Sequence, residues 1–242
     1  QGEQVIAVSN TVRDYILRNY PDTPAERISV IHRGVDGANY PYGWKPDPAW
    51  QQAFFSQFPN AAGKQLLTLP GRITRLKGHE DFIELIARLK RRSLPVHGLI
   101  VGGASSSKKR YLQKLRYRVR SMGLESDISF TGQRDDLKNI LAISSLVLSL
   151  STQPESFGRT TLEVLRLGVL TAGYDHGGVG EILRTMYPQG LLPIGDIDAT
   201  TQRIASLLQQ PIPVPEGDYF PLRDMLSQTL ELYERLAQTP RK

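Results

Sequence analysis

The sequence predicts an α/β fold, a Rossmann-like doubly wound parallel sheet, and three observations carry that prediction. Short branched apolar runs alternate with longer amphipathic runs from Gln65 onward. The spacing leaves room for a helical crossover between each pair of strands, which makes the strands parallel. Glycines recur just after the apolar runs, at Gly71, Gly102-Gly103, Gly132, Gly158 and Gly177-Gly178. A doubly wound sheet gathers its ligand there, beyond the C-terminal ends of its strands.

The elements follow in order. Gln4 to Ser9 reads as a short strand, and Ser9-Asn10 offers cap chemistry for a helix through Tyr20. Ile28 to Ile31 reads as a second strand, ending at Gly34. Tyr40 to Lys64 is polar and proline-rich, interrupted by a short helix over Ala49 to Phe58. Its Trp50, Phe54, Phe55 and Phe58 are expected to pack on the main domain. Strands of the main sheet are predicted over Leu66 to Leu69, Val96 to Val101, Ile128 to Thr131, Leu146 to Leu150 and Val169 to Tyr174. Helices are predicted over His79 to Lys90, Lys108 to Met122, Asp135 to Ile143, Leu162 to Leu167 and Gly180 to Thr185. A strand over Leu191 to Ile194 and helices over Asp196 to Gln209 and Phe220 to Ala237 complete the chain.

The stretch from Pro154 to Glu163 is a strand-to-helix turn carrying Ser156, Phe157 and Gly158. Such a turn offers free backbone N–H groups and the positive end of a helix dipole, a ready anion site. Glu155 precedes the helix and Glu163 lies inside it, with the anion position between them. At ~1.5 Å rise per residue, the carboxylates stand roughly 8–10 Å apart. A ligand with an anionic middle and hydroxyl-rich ends suits this arrangement, and a nucleoside diphosphate-sugar is such a ligand. A glycosidase also uses two carboxylates, but it has no use for an anion site between them. Arg72 and Lys77 add a planar fork and a compact charge after the first strand of the main sheet.

These motifs resemble those of the retaining glycosyltransferases with the GT-B fold, and specifically glycosyltransferase family 4. Glu155 and Glu163 match its E-x7-E motif. The match continues through Val5 to Asn10, His32 to Asp36, Gly71-Arg72-Ile73-Thr74-Arg75-Leu76-Lys77-Gly78, Phe130-Thr131-Gly132 and Gly177-Gly178-Val179-Gly180-Glu181, in the family's order. The resemblance implies the C-terminal, donor-binding half of a GT-B fold. It implies catalytic roles for Arg72, Lys77 and Glu155, with Glu155 on the donor sugar. It implies donor contacts at Gly71, Gly102, Gly103, Gln133, Ser156, Phe157, Gly158, Thr161, Leu162 and Glu163, the last on the ribose. Two departures concern the donor-sugar pocket: Gly168-Val169-Leu170 lacks the family's usual proline, and Gly180 stands where proline is common.

The resemblance also divides the chain. Residues 1–36 are the remnant of the N-terminal acceptor domain and the start of the linker, and 37–64 are linker and short helix. Residues 65–218 bind the nucleotide-sugar, and 219–242 are the closing helix and tail. An entire N-terminal domain is then missing, which predicts that this chain alone transfers no sugar. The implied activity is hexosyl transfer from a nucleoside diphosphate-sugar to an acceptor glycan or glycolipid, in cell-surface polysaccharide or lipopolysaccharide synthesis. A nucleotide-sugar epimerase, a phosphorylase of the same fold and a non-catalytic binding module are the alternatives.

Composition narrows the chemistry. The 242 residues contain no cysteine, which removes disulfides, thiol catalysis and cysteine-ligated zinc. No apolar run approaches the ~20 residues of a membrane span, and no signal peptide is evident. The chain opens on Gln rather than Met, so its natural N-terminus is expected elsewhere. Asp196-Ile197-Asp198 resembles a metal motif but sits where acids cap a helix, and neither metal nor cofactor is expected. His79 and His176 lie near the ligand edge and read as structural. Lys108 to Arg120 holds seven cations and no acid. This is either a solvated face or a contact to an anionic membrane. Nucleic acid is not expected. The absence of cysteine fits a reducing compartment, so the protein is expected in the cytoplasm, with the inner membrane face as its alternative site.

Overall fold

The computed structural model describes residues 3–238. β1 (Val5–Ala7) and β2 (Ile28–Val30) form a small parallel pair, joined by α1 (Asn10–Asn19). Ser9 caps α1, its hydroxyl accepting from Val12 N–H, as the Ser-Asn pair predicts. α2 (Pro48–Gln57) starts with Asp47 as its cap and proline in its first turn. Its Phe54 is buried, and Trp50, Phe55 and Phe58 pack around the same cluster.

The main sheet has six parallel strands: β3 (Gln65–Pro70), β4 (Val96–Val101), β5 (Ile128–Gly132), β6 (Leu146–Ser149), β7 (Thr171–Tyr174) and β8 (Leu191–Leu192). Their order is β5-β4-β3-β6-β7-β8, so the winding reverses between β3 and β6. Leu67 pairs with Leu146 and Thr68 with Val147 across that seam. The crossovers are α3 (His79–Arg91), α4 (Lys109–Ser121), α5 (Leu137–Ile143), α6 (Arg159–Arg166) and α7 (Gly177–Met186). α8 (Ile197–Gln209) and α9 (Leu222–Gln238) follow.

Alternation along the strands shows that both sheet faces are covered. Leu67 and Leu69 join the large core with α3, α4 and α8, whereas Leu66 packs with α2 and α5. α3 alone buries Phe82, Ile83, Leu85, Ile86 and Leu89, each contributing about 1.5–3 kcal/mol of transfer energy. That burial makes the β3–α3 turn a rigid platform. α9 is different: only its Leu232 is buried, while Leu226, Leu230 and Tyr233 are more than half or about half exposed, at 50, 59 and 58 %. α1 contributes no buried residue.

Several boundaries move from their predicted places. α6 starts at Arg159, not Leu162, because Gly158 takes the left-handed conformation (φ 92°) and turns the chain directly into the helix. α7 starts at Gly177, not Gly180, for a packing reason given below. α5 begins at Leu137, since Asp136 is engaged by Arg134 and Trp50 rather than by the helix.

Candidate functional site

Two turns meet at the reversal of strand order. Gly78, at φ 70°, ends the turn after β3, and a Cβ there would stand 2.0 Å from the Leu150 carbonyl oxygen. Thr152 N–H donates to Leu76 O at 2.8 Å, tying the turn after β6 to the same place. This contact delivers Lys77 to Glu155 across 78 residues of sequence, with Nζ 2.7 Å from Oε1. The Ser151 hydroxyl donates to the same carboxylate oxygen. Burial pushes the Glu155 carboxyl up, but Lys77 and Ser151 outweigh it and hold the carboxyl below its ordinary value. Glu155 is therefore an anion, its charge matched by Lys77.

The loop from Pro154 to Gly158 rests on the start of α7. Gly178 N–H donates to Glu155 O at 2.8 Å, and a Cβ on Gly178 would stand 2.3 Å from the Phe157 backbone. This close approach explains the glycines at a helix start, where propensity alone disfavours them. His176, the residue before α7, contacts Ser151 O through Nε2 at 2.7 Å. α6 has no side-chain cap, so the N–H groups of its first turn point at open space. They face a cleft lined by Gly71, Lys77, Ser151, Glu155, Gly158, Thr160 and Thr161 among others.

Glu163 turns to another side of α6. It is 7 % exposed, and Arg159 Nε lies 2.9 Å from its Oε1. Burial pushes its carboxyl above the ordinary value, while Arg159 and the Tyr40 hydroxyl pull the other way. Glu155 and Glu163 thus differ in kind: one is held ionised by a lysine, the other is a buried acceptor. An adjoining groove is lined by Gly71, Arg72, Gly102, Gly103, Gln133 and Arg134. Gly102, at φ 152°, lets the turns after β3 and β4 touch, since a Cβ there would meet Gly71 O at 1.9 Å. Arg72 is exposed and lines this groove rather than the Lys77 cleft.

The structure therefore brings together Gly71, Lys77, Glu155, Gly158 and Thr161 in one cleft, and Arg72, Gly102, Gly103 and Gln133 beside it. It turns other expected residues away. The side chains of Phe157 and Leu162 lie in the core, Phe157 against His32 and Phe220, because the start of α6 must seal the sheet. Leu162 N–H is moreover used within the helix turn, bonding to Gly158 O at 3.3 Å. Ser156 is exposed, and its carbonyl accepts from the Ser9 hydroxyl at 2.5 Å. Asp196 caps α8 through Ala199 N–H, and Asp198 pairs with Arg88.

Sequence reasoning missed Ser151, whose nearness to Glu155 is a matter of one turn's shape. It also missed the role of Glu181. That carboxylate accepts from Asn10 N–H at 3.0 Å and Thr11 N–H at 2.6 Å, so it caps α1 from across the molecule. Its position at the end of Gly177-Gly178-Val179-Gly180-Glu181 was the available signal.

Residues 51–229 match the family model described as glycosyl transferases group 1. The chain is similar to mannosylfructose-phosphate synthase of Agrobacterium fabrum, 29 % identical over 182 residues, covering 73 % of this chain and 38 % of that protein. It is also similar to the lipopolysaccharide core biosynthesis mannosyltransferase LpcC of Rhizobium leguminosarum bv. viciae, 26 % identical over 187 residues, covering 76 % of this chain and 50 % of LpcC. In structure it resembles HepE of Anabaena, solved in complex with UDP and glucose, with a TM-score of 0.85 at 22 % identity over 97 % of this chain and 64 % of HepE. The chain thus spans half or less of these two curated relatives, and the likeness to HepE speaks to the fold.

Proposed function

The chain belongs to the group 1 glycosyl transferases, and from that premise we propose that it is the donor-binding half of a retaining GT-B enzyme of family 4. The enzyme moves a hexose-type sugar from a nucleoside diphosphate-sugar to an acceptor glycan or glycolipid of the cell surface. The observation that carries this reading is the Lys77–Glu155 pair beside the uncapped start of α6, at the reversal of strand order. The diphosphate lies over the α6 N–H groups and Lys77, with Arg72 reaching it from the neighbouring groove. These groups stabilise the charge that grows on the departing diphosphate. The donor draws Lys77 toward its phosphate, which frees the ionised Glu155 to accept from sugar hydroxyls. Glu163 accepts from the ribose, giving up Arg159 as it does so. The HepE complex with UDP and glucose and the role of LpcC in lipopolysaccharide core synthesis support the choice of donor and acceptor class.

Calorimetric titration with UDP, GDP and ADP tests the phosphate assignment. Lys77→Ala and Arg72→Ala are each expected to weaken the preferred nucleotide by ~1.5–3 kcal/mol, the range for hydrogen bonds to charged groups. Unchanged affinities in both variants would sink the assignment.

The two glutamates separate by ligand. Glu163→Ala is expected to weaken the free nucleotide. Glu155→Ala is expected to weaken only sugar-bearing donors, and to leave plain nucleotide binding equal or tighter because Lys77 loses its competing partner. Equal weakening of plain nucleotide by both variants reverses the reading of the two ends.

The acceptor side belongs to a second domain in this reading. The uncovered Leu226, Leu230 and Tyr233 of α9 and the shallow packing of α1 support a further body packed there. The 242-residue chain is therefore expected to bind donor but not to transfer sugar. Turnover of ~1 s⁻¹ or more with a panel of acceptor glycans would overturn this.

A further inference from the structure

We propose that the outward face of α4 docks the protein on a bilayer bearing anionic phospholipid headgroups. The charge of the chain is not spread evenly. Between Leu85 and Leu124 there are eleven Lys and Arg and no acid, while the rest of the chain carries nineteen Lys and Arg against more Asp and Glu. The net charge of +6 is thus a property of α3, α4 and the strand between them.

Packing sorts these cations. Tyr111, Leu115 and Val119 bury one side of α4, which turns Lys109, Arg110, Lys114 and Tyr117 outward. Arg116 lies over the Phe130 ring, Arg118 reaches Glu84 at 3.8 Å and Arg120 reaches Glu125 at 3.4 Å. Among the described residues, Lys108, Lys109, Arg110 and Lys114 have no such partner. Three of them stand at or just inside the helix start, where no acid is found. A helix dipole favours acids there, so these cations work against the stability of their own helix. A local rule broken without compensation inside the fold points to a partner outside it.

The face suits a lipid surface better than other polyanions. It is the convex side of a helix and not a groove. Tyr117 is 70 % exposed at its centre, and tyrosine settles at the headgroup level with its ring toward the acyl chains. Single-stranded nucleic acid calls for several stacking aromatics along a channel, and only Tyr117 is exposed here. α4 also begins at the C-terminal end of β4, the rim that holds the candidate site, so docking brings that rim to the bilayer. The proposal does not rest on the donor reading.

The test is co-sedimentation with large vesicles in about 0.1 M salt. Vesicles of phosphatidylcholine with about 30 % phosphatidylglycerol are compared with pure phosphatidylcholine. The full chain is expected to bind the anionic vesicles at least about tenfold more tightly, since each cation near such a surface adds about fivefold. The combined variant Lys109→Glu, Arg110→Glu, Lys114→Glu is expected to lose about a hundredfold or more, with its melting point equal to the parent's or higher, as acids at the helix start require, and its nucleotide binding unchanged. Equal binding to both vesicles, or a variant that sediments like the parent, overturns the proposal. So does a single-stranded RNA that binds this face at the same salt while the vesicles do not.

Discussion

Acidification from pH 6.5 to pH 4 is expected to remove roughly 6 kcal/mol of folding stability, through two histidines that the fold buries neutral. His79 and His97 are fully buried, each at 0 % exposure. Burial lowers the His79 pKa to about 4; the Thr74 carbonyl opposes this and Lys77 adds to it. Burial likewise lowers His97 to about 4, aided by Lys64 and opposed by Asp127. His79 Nδ1 donates to Thr74 O at 3.1 Å, and His97 Nε2 contacts the Ser129 hydroxyl at 2.9 Å, leaving one ring nitrogen of each unpartnered. A folded-state pKa below the unfolded value means that the unfolded chain takes up protons first. The stability is fully present above pH 6.5 and is lost as the pH falls toward 4, at roughly 3 kcal/mol per histidine. For a chain of this size the thermal midpoint should drop by about 10–20 °C over that range. His97→Gln should remove about half of the slope. A midpoint at pH 4.5 equal to that at pH 7 would show that these rings are not held neutral.

His79 also connects stability to the site. It is the first residue of α3, directly after Gly78 and two after Lys77. Protonation there places a second cation beside Lys77 and at the positive end of a helix, so the turn that delivers Lys77 should loosen first.

Much of this architecture was legible because it is written in local pattern. Strand–helix alternation gave the parallel sheet, and the glycines marked the ends of the strands where the cleft lies. What was not legible is long-range. Nothing local says that Lys77 meets Glu155, that Glu181 caps α1, or that Arg159 and Tyr40 close over Glu163. The starts of α6 and α7 were placed too late for a related reason. α6 follows a glycine cap and α7 opens on glycine, neither with a Ser, Thr or Asp cap, and glycine reads as loop until its packing partner is known. Phe157 and Leu162 carry the same lesson: their place in a motif says nothing of which way their side chains point. Charge was the opposite case, since the basic segment was visible at once but its paired and unpaired cations separated only in three dimensions.

The glycines of α7 allow that packing to be tested within one helix. At Gly178 a Cβ would stand 2.3 Å from both Cα and O of Phe157, and 2.5 Å from its carbonyl carbon. These are backbone atoms and cannot swing aside, so the loop from Pro154 to Gly158 must lift from α7. Gly178→Ala should therefore cost about 3 kcal/mol or more, at the upper end for overpacking. The lift breaks the Gly178 N–H bond to Glu155 O and carries the Glu155 carboxylate away from Lys77. Sugar-nucleotide affinity should fall with stability, since a displacement near 1 Å spoils the alignment of a site. Gly180 provides the contrast. A Cβ there comes first upon the Asp175 carboxylate at 2.9 Å and the Arg184 guanidinium at 3.2 Å, two side-chain ends that can shift, and its nearest backbone atom is the Asp175 carbonyl carbon at 3.2 Å. Alanine is also the better helix former by about 1 kcal/mol. Gly180→Ala is therefore expected to cost far less than Gly178→Ala, with donor binding intact. Chemical denaturation of the two variants, followed by calorimetry with a nucleotide-sugar, decides the matter. If Gly178→Ala unfolds no earlier than the parent chain, the contact between α7 and the Glu155 loop is not what positions the carboxylate.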